Sequence, residues 1–142
     1  MPHQYYMAEA LREAQKAALL GDVPVGAVLV CGEQIIARAH NEKEAKQDPT
    51  EHAEMMVIRA ACQKRGDWRL ADCTLYVTLE PCPMCAGAMV SAHLGNLVFG
   101  ASDSAYGACG SLFYVAGHPA FPHRMQVIGG IMQEECEKLH KD

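Results

Sequence analysis

Two short motifs, well separated along the chain, constrain the fold of this sequence more than any other feature. The first is His52-Ala53-Glu54, and the second is Pro81-Cys82-Pro83-Met84-Cys85. One histidine and two cysteines form a ligand set that suits Zn²⁺, and three protein ligands leave the fourth tetrahedral position open for water. The fold must therefore bring the two motifs to one point, with the glutamate beside the ligands.

We predict that His52, Cys82 and Cys85 bind one zinc ion per chain and that Glu54 is the catalytic residue. Zinc lowers the pKa of bound water to about 7, and a carboxylate that is not a ligand can carry protons to and from that water. Residues two apart on a helix point in different directions. His52 can therefore bind the metal while Glu54 faces a substrate.

Two other interpretations of the cysteine pair stay open. Cys82 and Cys85, taken alone, have the spacing of a thiol redox pair, although such a pair has no need of the upstream histidine and glutamate. A purely structural zinc site would need a fourth protein ligand, for which Cys73 and Cys109 are available.

The composition predicts a single globular domain that spans residues 1–142. Half of the residues are hydrophobic and 20% are charged, as in ordinary soluble proteins. No segment approaches the roughly 18 consecutive apolar residues of a membrane span, and residues 1–9 lack the pattern of a signal peptide. We therefore expect a cytoplasmic protein without membrane contact.

The charge and the cysteines add two expectations. The formal net charge of −5 argues against a large polyanionic partner, without excluding a local basic rim. The seven cysteines are odd in number and follow no disulfide framework, which fits a reducing compartment. The five outside the zinc motif are predicted to be free thiols: Cys31, Cys62, Cys73, Cys109 and Cys136.

The hydrophobic periodicity predicts strands that alternate with helices. Helices are expected at 3–20, 51–64, 83–92 and 131–139, and strands at 25–30, 35–39, 74–79, 96–100 and 125–128. The first two strands form a hairpin, Thr50 caps the second helix, and residues 40–50 and 101–124 are loops. The predicted fold is α/β, a three-layer α/β/α arrangement with a central mixed five-stranded sheet.

The sequence as a whole resembles the bacterial tRNA adenosine deaminase family, a branch of the zinc-dependent cytidine deaminase superfamily. The two motifs have the form H-x-E and P-C-x-x-C found in zinc-dependent nucleobase deaminases. The resemblance implies a cytidine deaminase-like fold, a homodimer, and hydrolytic conversion of the wobble adenosine of a tRNA anticodon to inosine. The similar segments cover nearly the whole chain and include 23–27, 48–50, 75–88, 99–101, 110–112 and 129–131.

The resemblance also implies a set of substrate contacts, position by position. Asn41 and the backbone of Ala53 would hold the base, and Val23 and Leu79 would pack near it. Asp103 would meet the ribose side of the anticodon loop. Ordinary structural roles stay open, because Asn41 could stabilise its own loop and the two apolar residues could belong to the core.

Four positions depart from the family pattern and keep a second function open. Ala105 stands where relatives usually have lysine, Pro122 where they have asparagine, and His93 and Asn96 where basic residues are common. Each change removes a charge or a polar group that could contact RNA. The alternative function is deamination of a free nucleobase or nucleoside of the guanine, cytosine or adenosine type. A zinc-stabilised interaction domain without enzymatic activity is a third possibility.

Overall fold

The computed structural model describes residues 2–140, which contain one mixed sheet with strand order β2-β1-β3-β4-β5. β1 is antiparallel to both β2 and β3, whereas β3, β4 and β5 are parallel to one another. The predicted five strands and the mixed sheet are therefore confirmed. In chain order the elements are α1 (His3–Leu19), β1 (Gly26–Cys31), β2 (Gln34–His40), α2 (Lys43–Lys46), α3 (Ala53–Arg65), β3 (Cys73–Leu79), α4 (Pro83–Ser91), β4 (Asn96–Ala101), β5 (Gln126–Ile128) and α5 (Gln133–Lys138).

The alternation of side chains along the strands divides the core between the two faces of the sheet. Leu29 of β1 packs on the face covered by α3 and α4, in a cluster that includes Val57 and Met89. Its neighbour Val28 points to the opposite face, where it packs with Met7 of α1 and Cys136 of α5. The helices therefore cover both faces, and the predicted three-layer arrangement is confirmed.

Helix α1 lies unusually close to the start of β1. Gly26 has no side chain, and a Cβ built there would overlap the Ala10 carbonyl and the Ala14 amide of α1. The Gly26 amide also donates a hydrogen bond of 3.2 Å to the Thr78 hydroxyl on β3. The absence of a side chain at this position therefore sets how closely the first helix can approach the sheet.

The direction of the strands gathers several chain segments at one edge of the sheet. Leu79 and Ala101 are paired in the parallel β3–β4 ladder, so both strands end at this edge. Because β1 is antiparallel to its neighbours, its first residue, Gly26, pairs with His40 at the end of β2. Ligand sites in open α/β sheets form beyond the carboxyl ends of the parallel strands, and this edge is such a place.

The start of α3 differs from the prediction. The helix begins at Ala53, with His52 as the N-cap residue, and the predicted Thr50 cap was wrong. The Thr50 hydroxyl instead donates to Asp48 Oδ1 at 2.6 Å. Asn41, which is distant in sequence, accepts the Ala53 amide hydrogen through Oδ1 at 2.8 Å, so a long-range contact replaces the local cap.

Residues 40–50 also contain more order than the predicted loop. The short helix α2 lies within this segment, and Asp22 Oδ2 accepts the Glu44 amide hydrogen at 2.9 Å. Asp22 therefore ties the start of α2 to the turn before β1. This contact joins distant parts of the chain, and local periodicity carries no sign of it.

The cysteine prediction was wrong for two residues. Cys31 and Cys73 form a disulfide, with an S–S distance of 2.07 Å. They lie directly opposite each other on β1 and β3, with Cα atoms 4.5 Å apart. Cys62, Cys109 and Cys136 are free thiols, as predicted. The bond depends on the register of two strands that are distant in sequence, which spacing alone does not predict.

None of the helices within residues 2–140 is long and apolar enough to cross a membrane.

Candidate active site

The three predicted zinc ligands converge at the edge of the sheet where β3 ends. His52 Nδ1 lies 3.5 Å from Cys85 Sγ and 3.8 Å from Cys82 Sγ, and one donor atom from each residue lies within 4.8 Å of the others. Two ligands of a tetrahedral zinc ion, with bonds of about 2.0–2.3 Å, are separated by ~3.3–3.8 Å. The donor set and its spacing therefore fit Zn²⁺. Cys73 and Cys109 do not belong to the cluster.

Two helix starts hold the ligands in position. His52 is the N-cap residue of α3, and Cys82 is the N-cap residue of α4, with Pro83 in the first turn. Proline fits the first turn of a helix because its missing N–H would have no helical partner there. The positive ends of two helix dipoles therefore meet at the cluster, where they favour thiolate over thiol.

The two cysteines and the histidine titrate as one unit. Hydrogen bonds from the Cys85 thiol and with His52 outweigh the effect of burial and together lower the pKa of Cys82 to about 4. The same bond raises the pKa of Cys85, and burial adds to that effect. The interaction with Cys82 raises the pKa of His52. The cluster thus presents a thiolate to a cation at neutral pH.

Glu54 lies next to the cluster, in the first turn of α3, and only 4% of its surface is exposed. Burial raises the pKa of its carboxyl group to about 7. Its Oε1 atom is buried and has no hydrogen-bond partner among the described residues. A carboxyl group with a pKa near neutrality can both accept and donate a proton, and its unpaired oxygen is a potential hydrogen-bond acceptor for a ligand.

A cavity of about 510 Å³ opens above Glu54. Four of the predicted substrate contacts line it together with His52, Glu54 and Cys82, namely Val23, Asn41, Leu79 and Asp103. Ala53 and Cys85 are fully buried and do not line the cavity. The Ala53 amide hydrogen is donated to Asn41, as described above.

The structural roles proposed for these residues are resolved one by one. Val23 is 41% exposed, so it is not a core residue. Leu79 is half-buried between the cavity and the core clusters. Asn41 is buried, and it both binds the start of α3 and lines the cavity. Asp103 Oδ1 accepts the amide hydrogens of Ala105 and Tyr106, so this oxygen stabilises its own turn.

Two charged residues of the cavity wall were missed by the sequence analysis. Lys43, at the start of α2, is one of them, and the buried Glu80 is the other. Burial alone would raise the pKa of Glu80, but hydrogen bonds from Ser111 and from the amides of Asp103 and Cys109 outweigh it and lower the pKa. An acidic residue between a buried strand and the cysteine motif was the available sign of a special role.

Comparisons with known proteins agree with this site. A family model described as MafB19-like deaminase matches residues 1–133. A tRNA-specific adenosine deaminase of Bacillus subtilis (strain 168) is 51% identical over 133 residues, which cover 94% of this chain and 83% of that protein. The expected deaminase resemblance is therefore confirmed over most of the chain.

Two solved structures are also similar. A structure from a study of A-to-I editing by tRNA:A34 deaminases superposes with a TM-score of 0.91 at 41% identity, covering 95% of this chain and 98% of the other. A guanine deaminase from Bacillus subtilis superposes with a TM-score of 0.69 at 39% identity, covering 72% of this chain and 66% of the other. By the family model and by its identity to a relative that it nearly spans, the chain belongs to the MafB19-like deaminases and, among them, to the tRNA-specific adenosine deaminases.

Proposed function

We propose that this protein converts the wobble adenosine of a tRNA anticodon to inosine by zinc-dependent hydrolysis. The observation that carries the proposal is the buried Glu54 beside the His52, Cys82 and Cys85 cluster, in a chain 51% identical to a tRNA-specific adenosine deaminase. The cluster and the glutamate provide the two functions that hydrolytic deamination requires, namely a metal site and a proton carrier.

His52, Cys82 and Cys85 would hold the zinc ion, which when bound supplies Lewis-acid activation of a water molecule. The Glu54 carboxylate accepts a proton from the attacking water and donates it to ring nitrogen N1 as the new C–O bond forms at C6. Glu54 then carries the second proton to the exocyclic amine, and the C6–N bond breaks. Water and adenosine are consumed, and inosine and ammonia are released.

The walls of the cavity support binding of a base that has left its stack. Val23 and Leu79 provide apolar surface for the faces of the base, and the side-chain amide group of Asn41 provides a polar contact at its edge. Asp103 Oδ2 stays available for a ribose hydroxyl, because the turn uses Oδ1. Lys43 at the rim supplies a positive charge for a neighbouring phosphate.

The resemblance further supports a cytoplasmic homodimer with one zinc ion and a single domain, residues 1–142, in each subunit. The chain has a mass of 15.4 kDa, so sedimentation should give a species near twice that value. A single species at the mass of one chain would contradict the dimer.

The direct test is inosine formation in an anticodon stem-loop that contains wobble adenosine. Free adenosine, adenine, guanine and cytosine are assayed beside it, with the Glu54→Gln variant as the inactive control. We expect turnover of the stem-loop only. No turnover of the stem-loop by zinc-loaded enzyme would contradict the proposed function.

A second candidate function is deamination of a free purine base. The 39% identity to a guanine deaminase favours it, as do the uncharged residues Asn96, Ala105 and Pro122 at positions where the family resemblance predicts basic or polar residues. The same assay separates the two functions. Turnover of guanine with the stem-loop unchanged would mean that this chain retained the catalytic centre and changed its substrate.

A further inference from the structure

A buried carboxylate next to the cavity takes no part in the mechanism given above. Glu80 directly follows β3 and precedes Pro81, and only 2% of its surface is exposed. It does not belong to the His52, Cys82 and Cys85 cluster. Its own amide donates to the Ala101 carbonyl at 2.8 Å, which fixes its backbone to the end of β4.

Both carboxylate oxygens of Glu80 bind a single segment of the chain, residues 103–111. Oε1 accepts the Asp103 amide hydrogen at 3.0 Å and the hydroxyl hydrogen of Ser111. Oε2 accepts the amide hydrogens of Cys109 and Ser111, each at 3.0 Å. Four donors from one irregular segment therefore point at one buried anion.

Apart from these bonds, the buried residues Ala108 and Cys109 and a backbone hydrogen bond connect the segment to the rest of the domain. The Ala108 amide donates to the Pro81 carbonyl at 2.9 Å, while the Gly107 amide donates back to Asp103 within the segment. Gly107 lies against the Glu80 carboxylate, and a Cβ built there would be 2.5 Å from Oε2. The carboxylate therefore occupies the centre of the segment and replaces the regular hydrogen bonds that it lacks.

The segment carries two residues of the cavity wall. Asp103 and Tyr106 both line the cavity, and Tyr106 is 66% exposed at its mouth. Asp103 Oδ1 accepts the Tyr106 amide hydrogen at 3.2 Å, so the two residues share one turn. Fixing the backbone of Asp103 through Glu80 therefore fixes both side chains.

We propose that Glu80 is a positioning residue for the RNA substrate, acting through Asp103 and Tyr106. Glu80 holds the 103–111 segment so that these two residues contact the nucleotides that flank the target base. It therefore controls affinity for the anticodon loop and not the rate of the chemical step. This inference rests on the proposed function, since a free base has no flanking nucleotides.

The Glu80→Gln substitution tests the proposal with little change in volume. The new NH₂ group must face donors, whichever way the amide turns. At the Oε1 position the Ser111 hydroxyl can rotate to accept from it, but the Asp103 amide loses its acceptor. Glutamine therefore favours the orientation that releases Asp103. The matched control is Glu13→Gln, because Glu13 is equally buried but pairs with Lys16 and Arg38 on α1 and β2.

Steady-state kinetics on the stem-loop give the first measurement. We expect Glu80→Gln to raise KM about tenfold, equivalent to about 1.4 kcal/mol, with kcat within about twofold and one zinc ion per chain retained. Glu13→Gln should leave KM within about twofold, even where it lowers the melting temperature. A Glu80→Gln variant that lowers kcat at unchanged KM, or matches Glu13→Gln, would overturn the proposal.

A mutant cycle tests the route through the two rim residues. The Asp103→Ala/Tyr106→Ala variant should raise KM by itself, and adding Glu80→Gln should then change KM by less than about twofold. If the KM increases of Glu80→Gln and of Asp103→Ala/Tyr106→Ala multiply fully in the combined variant, Glu80 does not act through Asp103 and Tyr106, and the proposal fails.

Amide hydrogen exchange provides a measurement that is independent of activity. In Glu80→Gln the amides of Asp103, Cys109 and Ser111 should exchange at least tenfold faster, whereas Glu13→Gln should leave them unchanged. If Glu80→Gln does not fold, Ser111→Ala removes one donor and should still raise KM about threefold, and an unchanged KM would overturn the proposal. A wild-type enzyme inactive on the stem-loop would instead refute the proposed function, while the exchange result would still report on the segment.

Discussion

At the scale of single residues, the site contains two buried glutamates whose pKa values shift in opposite directions. Glu54 is buried beside the metal cluster with an oxygen that no described residue binds, and its pKa rises to about 7. Glu80 is as buried, but it accepts hydrogen bonds from the 103–111 segment, and its pKa falls. The first group can exchange protons with a substrate, whereas the second stays ionised and holds structure.

Replacing Glu54 with glutamine should abolish turnover while sparing the metal site. General acid–base groups contribute about 10²–10⁴-fold to rates, so we expect kcat on the stem-loop to fall at least 100-fold. The amide keeps the volume of the side chain, so zinc content and melting temperature should stay near the wild-type values. Activity within tenfold of wild type would exclude Glu54 as the proton carrier.

Replacing a zinc ligand, unlike replacing Glu54, should remove the metal. We expect Cys82→Ser to lose zinc, because the hydroxyl is a poor zinc ligand beside a thiolate, and inductively coupled plasma analysis of metal per chain measures the loss. Cys109→Ser is the control, since Cys109 is buried nearby but lies outside the cluster. One zinc ion per chain in Cys82→Ser would refute the ligand assignment, and loss of zinc in Cys109→Ser would make Cys109 a fourth ligand.

At the scale of elements, two helix starts carry the chemistry and a distant asparagine fixes one of them. Asn41 follows β2 and accepts the Ala53 amide hydrogen, whereas Thr50, which is much nearer in sequence, donates to Asp48 instead. The end of β2 therefore sets the position of His52. This arrangement couples the hairpin to the metal cluster.

Substitution of Asn41 and of Thr50 distinguishes the observed cap of α3 from the predicted one. Asn41→Ala should lower the free energy of unfolding by about 1–2 kcal/mol and raise KM, because it removes both the cap and a polar group of the cavity. Thr50→Ala should cost less than about 0.5 kcal/mol, because its hydrogen bond to Asp48 is exposed. Chemical denaturation of both variants measures this, and equal losses would contradict the assigned cap.

The sequence predicts the local elements of secondary structure but not the long-range contacts between them. Among residues 2–140, all five strands and four of the five helices follow from local periodicity, and the two motifs lie at helix starts as predicted. The Asn41 cap, the Asp22 contact to α2 and the Glu80 contacts to residues 103–111 join segments far apart in the chain. Such contacts depend on strand order and register, which periodicity does not contain.

At the scale of the whole molecule, the two ends of the sheet have different roles. The cavity lies beyond the carboxyl end of β3, whereas the Cys31–Cys73 disulfide joins β1 and β3 at the opposite end. At ~3.3 Å per residue, the length of β3 separates the two by roughly 20 Å. A disulfide is unusual for the cytoplasmic location proposed here, so the redox state of this pair in the cell tests that location.

Reduction of this disulfide should affect stability and spare catalysis. Native disulfides stabilise proteins by typically 2–4 kcal/mol, and we expect a loss of that order on reduction. Turnover of the stem-loop should change less than twofold, because the bond is remote from the cavity. Denaturation and activity are measured on oxidised and reduced protein, and mass spectrometry after alkylation reports the redox state. A large loss of activity on reduction, with zinc retained, would contradict the independence of the two ends.

The close approach of α1 to Gly26 has a consequence for how variation in this family is interpreted. Any side chain at that position would collide with the backbone of the first helix and separate two layers of the molecule. A saturation screen for activity should therefore rank Gly26 with the zinc ligands among the least tolerant positions, although it has no side chain to offer a substrate. Loss of activity in Gly26 variants would therefore reflect the close packing of two backbones and would not indicate a catalytic role for this residue.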